Sequence, residues 1–169
     1  MANEVKHAVV RTDLMAATDV RSKLVSLKFL GKNGKTPTEI DNGNVVKLGD
    51  LIDGKRELYA ATVPATDSKL SEVVLVASVE IMYDALKQNL DEFVNEAGKN
   101  IRGYRFVSGD VFSVTAEAFE GTPKKGSIVE LTAGTKLSAV DSATGATVIG
   151  KIEDVEIAGR YTYYVIKVD

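Results

Sequence analysis

From residue 127 onward the chain alternates apolar and polar residues in four short runs, 127–132, 135–140, 147–157 and 161–168. The runs are separated by Ala-Gly, Ser-Ala-Thr-Gly and a second Ala-Gly. A period of two puts successive side chains on opposite faces of a strand, and turn signals at this spacing favour a small antiparallel barrel or sandwich. The alternation slips at Glu153-Asp154, where Ile152 and Val155 stand three apart, so a β-bulge is expected there.

The same period runs through the first two thirds. Val25, Leu27 and Phe29 alternate with Ser26 and Lys28, as in a half-buried strand. Asn42-Gly43 favours a tight turn, and predicts a hairpin between Thr38–Asp41 and Asn44–Leu48. Glu57–Val63 is a strand ended by Pro64, and the apolar, β-branched run Val73–Val79 reads as a strand covered on both faces. Arg102–Val107 and the stretch from Phe112 to Ala118 continue the pattern. One helix is expected, over Leu90–Ala97. Asn89 and Glu92 have capping-box spacing, Leu86, Leu90, Phe93, Val94 and Ala97 recur at helical intervals that allow an extension back through Met82, and Gly98 is a natural stop.

These signals predict a mainly β protein of antiparallel sheets with one short helix and a small C-terminal β-barrel or sandwich subdomain. Residues 1–22 read as an N-terminal arm, 23–120 as a β-rich main domain and 126–169 as the subdomain. The break falls at Gly121-Thr-Pro-Lys-Lys-Gly126, which holds both chain breakers in six residues.

Composition narrows the function classes. The 169 residues include one histidine, His7, and no cysteine or tryptophan. Acid–base, nucleophilic and transition-metal chemistry draws heavily on His and Cys, so the chain is expected to be non-enzymatic, without metal or cofactor. The N-terminus shows no apolar secretory core, and the longest apolar run, Val73–Ala77, is too short to span a bilayer. A net charge of −3 and a pI near 5.3 do not suggest a general nucleic-acid binder, and no membrane partner is expected.

Two motifs fail on inspection. Gly34-Lys35-Thr36 resembles the end of a phosphate-binding loop, but Phe29 occupies the required first glycine position and Pro37 follows. Arg102-Gly103-Tyr104-Arg105-Phe106-Val107 resembles an RNA-recognition strand, but Arg105 replaces a small residue and Gly109 replaces a stacking aromatic. Asp91, Glu92 and Glu96 give acidic spacing on the expected helix, with Asp91 and Glu92 near its start, where negative charge favours the dipole, and without the alternation of a calcium loop.

Several strings carry a resemblance: Asn42-Gly43-Asn44-Val45-Val46, Gly49-Asp50-Leu51, Arg56-Glu57-Leu58-Tyr59, Met82-Tyr83-Asp84, Leu90 through Gly98, Arg102-Gly103-Tyr104 and Gly109 through Thr115. Together they resemble head decoration proteins, small capsid-associated structural proteins of tailed bacteriophages that infect Gram-positive bacteria. The resemblance implies a β-rich virion protein made in the host cytoplasm. It would bind the major capsid protein lattice on the capsid exterior as a homo-oligomer and stabilise it without a cofactor. A soluble recognition module for a host-surface or carbohydrate ligand is the alternative.

Partner contacts are expected at Arg11, Leu14 and Met15, which gather a charge and two large apolar side chains in the arm. Packing of that arm on its own domain is the competing reading. Tyr161 and Tyr163 share a strand face, with Tyr164 on the other. They serve either core packing or a protein-contact face.

Overall fold

The computed structural model describes residues 6–11, 23–84, 86–87 and 89–169. Among them the protein is mainly β, and its strands form two sheets. The first is a closed barrel of β1 (Leu24–Phe29), β2 (Val45–Leu51), β3 (Leu58–Thr62), β4 (Val73–Val76) and β5 (Ile101–Arg105), in the order β1-β3-β2-β4-β5. The second contains β6 (Val111–Val114), β7 (Phe119–Glu120), β8 (Ile128–Leu131), β9 (Leu137–Val140), β10 (Val148–Ala158) and β11 (Tyr161–Val168), in the order β6-β11-β10-β8-β9-β7. Pairing is antiparallel except for β1 with β3 and β7 with β9. The expected bulge is present as a register shift between Ile152 and Asp154.

The period of two places the core. Val25, Leu27 and Phe29 of β1 point into the barrel with Val46, Leu48, Ala61 and Ile101. Ser26 and Lys28 remain on its outer face. β4 is buried on both faces, as its unbroken apolar run predicts: Val74 and Val76 fill the barrel, while Val73, Leu75 and Ala77 join the second sheet's core. That core includes Phe112, Val114, Phe119, Leu131, Leu137, Ile152 and Ile166. The barrel wall and the second sheet therefore share one apolar interior.

The division between the sheets differs from the sequence boundary. Val111–Val114 pairs with β11, so the change of sheet falls within 106–110, where Lys23 and Asp110 form an ion pair. Gly121–Gly126 lies inside the second sheet, between β7 and β8.

Asn42-Gly43 does turn the chain, with Gly43 at φ 85°, but it joins no hairpin. β2 pairs with β3 and β4, and Ile40 bridges to Asn95. A Cβ at Gly43 would lie 3.2 Å from Val114 Cγ1, so this turn also lets the barrel approach the second sheet.

The expected helix is reduced to one 3₁₀ turn, Leu90–Glu92. Phe93 is already extended at φ −78° and ψ 135°. Asn95 and Ile40 exchange two backbone hydrogen bonds of 3.0 and 3.1 Å. A short helix has few internal bonds to set against its nucleation cost, and tertiary pairing wins. Glu92 still accepts from the Asn89 N–H at 3.0 Å, and Gly98 still takes a positive φ of 80°.

The described part of the arm packs on its own domain. Val10 bridges antiparallel to Val114, Arg11 N–H donates to Ser113 O at 2.9 Å, and Thr115 N–H donates to Val9 O at 3.0 Å. Residues 9–11 thus extend the second sheet beside β6. Ala8 and Val10 enter the shared core, and Val9 faces the tyrosines of β11.

Candidate protein-contact surface

The expected contact residues divide. Leu14 and Met15 lie outside the described residues. Arg11, Tyr161 and Tyr163 do come together, but against the protein's own chain. The Arg11 guanidinium stands 5.2 Å from the Tyr163 ring centroid. The rings of Tyr161 and Tyr163 lie 6.0 Å apart and, with Val9, form a small buried cluster. Tyr164 takes the other face and packs edge-on against Phe119 at 6.0 Å. Apolar burial therefore occupies the two β11 tyrosines within this cluster.

Tyr161 also performs a polar task. Its hydroxyl donates to Asp91 Oδ1 at 2.9 Å, and Arg160 donates to Asp91 Oδ2 at 3.2 Å. The Lys6 N–H reaches the same carboxylate at 3.4 Å. Burial, together with the bond to Asp91, pushes the Tyr161 phenol above its ordinary pKa. Asp91 thereby joins the 90–92 turn, the tip of the β10–β11 hairpin and the N-terminal segment.

That turn closes a loop the sequence analysis did not single out. The loop leaves β4 and runs from Val79 to Leu90. Five of the nine exposed large apolar side chains among the described residues fall in it: Val79, Ile81, Tyr83, Leu86 and Leu90. Tyr83 is 96% exposed and Leu86 88%, so both project fully into solvent. Isolated exposed apolar residues are ordinary, but a run of them makes this loop the candidate contact surface. Between this loop and residues 92–101 lies an open groove of about 540 Å³. Ile81, Met82, Phe93 and Val94 supply its apolar lining, and Lys87 and Glu96 add charges.

The loop's ends are fixed by buried amides. Asn42 accepts from Ser78 N–H at 2.9 Å and donates to Ser78 O at 2.8 Å, satisfying both backbone groups of that residue. It also donates to Glu80 Oε1 at 3.1 Å and accepts from Asn95 Nδ2 at 3.0 Å. The Asn95 amide donates as well to Ile40 O at 3.0 Å. In the middle, Asp84 accepts from Leu86 N–H at 3.0 Å. Anchored ends lower the ordering cost of presenting Tyr83 and Leu86 to a partner.

The sequence carried a signal for this surface in Val79, Ile81 and Tyr83, apolar residues at alternate positions beyond a strand. The signal was masked because the same run extends the buried β4, and Leu86 and Leu90 fit the helical spacing of the expected helix. No family model, curated protein or solved structure matches the chain.

Proposed function

We infer that this chain is a non-enzymatic structural protein of a tailed-bacteriophage virion, a head decoration protein that binds and stabilises the outer surface of the major capsid lattice. The observation that carries the reading is the anchored loop with Tyr83 and Leu86 projecting from it. The resemblance described above names the partner. Burying these two side chains would contribute about 3–6 kcal/mol before ordering costs. Repetition across a symmetric shell would multiply such contacts by avidity, particularly for a homo-oligomer. A protein that binds only the assembled lattice shifts equilibrium toward assembly by mass action.

The test mixes the purified protein with bare expanded and unexpanded capsids and follows cosedimentation and thermal resistance. Binding with raised shell stability is expected, and Tyr83→Ser with Leu86→Ser should abolish it while leaving the protein folded. Binding to neither shell, or binding without added stability, refutes the reading. Capture of a glycan by the 540 Å³ groove in place of capsids would favour the recognition-module alternative.

A further inference from the structure

The outer face of the barrel carries a second, chemically different surface. β1 pairs with β3 and β5 there, bringing Ser26 opposite Leu58 on one side and Arg102 on the other. Strand neighbours stand about 4.8 Å apart, and Lys28 follows on the same face of β1. The exposed connection before β3 adds Lys55 and Arg56. Together these elements frame an open concavity of about 570 Å³, with Leu58 among its lining residues and Lys28, Lys55 and Arg56 around it.

Four cations, Lys28, Lys55, Arg56 and Arg102, thus gather from three stretches of sequence. None forms an ion pair within 4.0 Å with any described residue, although Lys6, Lys23, Lys47, Lys99, Lys125 and Arg160 all do. Only one acid, Glu57, lines the concavity. In a chain of net charge −3, like charges that outnumber their counter-charges repel one another and attract an anion.

We propose that this concavity binds an acidic segment of a partner protein. Arg56 offers the planar fork that matches a carboxylate and Lys28 and Lys55 act as point charges, while Arg102, on the strand beside Ser26, adds positive charge at the margin. Leu58, only 7% exposed, closes the floor, and Ser26 and Asn100 on the lining are placed to hydrogen-bond a peptide backbone. A bare polyphosphate would use only the cations. A long nucleic acid would meet the negative charge of the rest of the molecule. Charge complementarity together with hydrogen-bonding groups for a backbone therefore selects a peptide rich in Asp or Glu. The proposal stands independently of capsid decoration, because the site's chemistry does not depend on which protein carries the segment.

Calorimetric titration of the full chain at low ionic strength tests it with three probes: a peptide alternating Glu and Leu, its Gln-for-Glu counterpart, and inorganic polyphosphate. The acidic peptide should bind. Its affinity should fall about tenfold in the Lys55→Gln/Arg56→Gln double variant, and fall again as salt is raised. Lys124→Gln, at an exposed turn of the second sheet, should leave it unchanged. These side chains are exposed, so an unaltered thermal midpoint will show that each variant is folded. Equal affinity for the amide peptide, wild-type affinity in the double variant, or no binding of the acidic peptide overturns the proposal. Tighter binding of polyphosphate than of the acidic peptide overturns the assignment to a protein segment.

Discussion

The carboxylate of Asp91 and the hydroxyl of Tyr161 meet at 2.9 Å across 70 residues of sequence, both side chains buried. The bond turns a carboxylate of the 90–92 turn into a fastening point for the β10–β11 hairpin. Arg160 from the same hairpin supplies the charge that a buried carboxylate requires. The same turn closes the Tyr83–Leu86 loop.

Tyr161→Phe removes the 2.9 Å bond to the Asp91 carboxylate and a longer 3.4 Å bond from the Asp91 N–H, while leaving Arg160 on Asp91. A loss of about 1 kcal/mol in urea unfolding is expected. Asp91→Ala strands both the hydroxyl and the guanidinium and should cost about 2–4 kcal/mol. The double variant should lose less than the sum of the two, since the partners act through one contact. Strict additivity would show that the bond contributes nothing to stability.

The raised Tyr161 phenol gives a pH dependence whose sign is fixed. Below about pH 10 the tyrosine is protonated in both folded and unfolded chains and its contribution is fully present. Above that value the unfolded chain releases its proton first, so the folded state loses stability as pH rises toward the elevated folded pKa. Alkaline unfolding curves should therefore steepen above pH 10, and Tyr161→Phe should relieve part of the loss. Tyrosinate absorbance should show one late-titrating phenol in the wild type that is missing from Tyr161→Phe.

Gly150 sits where β10 passes between β8 and β11, opposite both Val129 and Val168. A Cβ there would lie 1.9 Å from the carbonyl oxygen of Lys167, a backbone atom that cannot swing aside. Gly150→Ala should destabilise by about 3 kcal/mol or more, as measured by thermal or denaturant unfolding. Gly54→Ala, where a Cβ meets nothing within 4 Å but φ is 72°, should cost less.

Asn42→Ala would leave the N–H and carbonyl of Ser78 without their partner and free one end of the contact loop. A stability loss of about 2–3 kcal/mol is expected. Amide exchange should accelerate selectively at residues 78–84, with strands β8 to β11 unchanged. Uniform acceleration would instead show that the loop is not held locally.

Legibility in the sequence followed the range of the interactions. The strands were readable because alternation is a local property: 161–168 matches β11 end to end, and the slipped period at Glu153-Asp154 marks the bulge. The 90–97 helix failed because local caps were outweighed by Asn95 pairing with Ile40, 55 positions away. Asn42-Gly43 signalled a turn correctly, but the dipeptide does not reveal which strands pair on either side of it. The cationic concavity was illegible for the same reason. Lys28, Lys55 and Arg102 are each ordinary in sequence, and only barrel closure makes them neighbours. The tyrosines of β11 were placed on the right faces, while their burial depended on Val9, more than 100 positions earlier.

The place of β11 in its sheet also bears on how the protein is made. Residues 161–168 form an inner strand, between β6 and β10, and they leave the ribosome after both of those neighbours. Until they emerge, β6 and the longest strand, β10, lack the neighbour that joins them, and the apolar face of β4 waits uncovered. The barrel's pairings can form earlier during synthesis, but the second sheet must assemble after it. A chain that stops short of residue 161 would carry exposed strand edges and half a core, the features by which quality control recognises a failed product. Only polypeptides read through residue 168 can close the gap between β6 and β10.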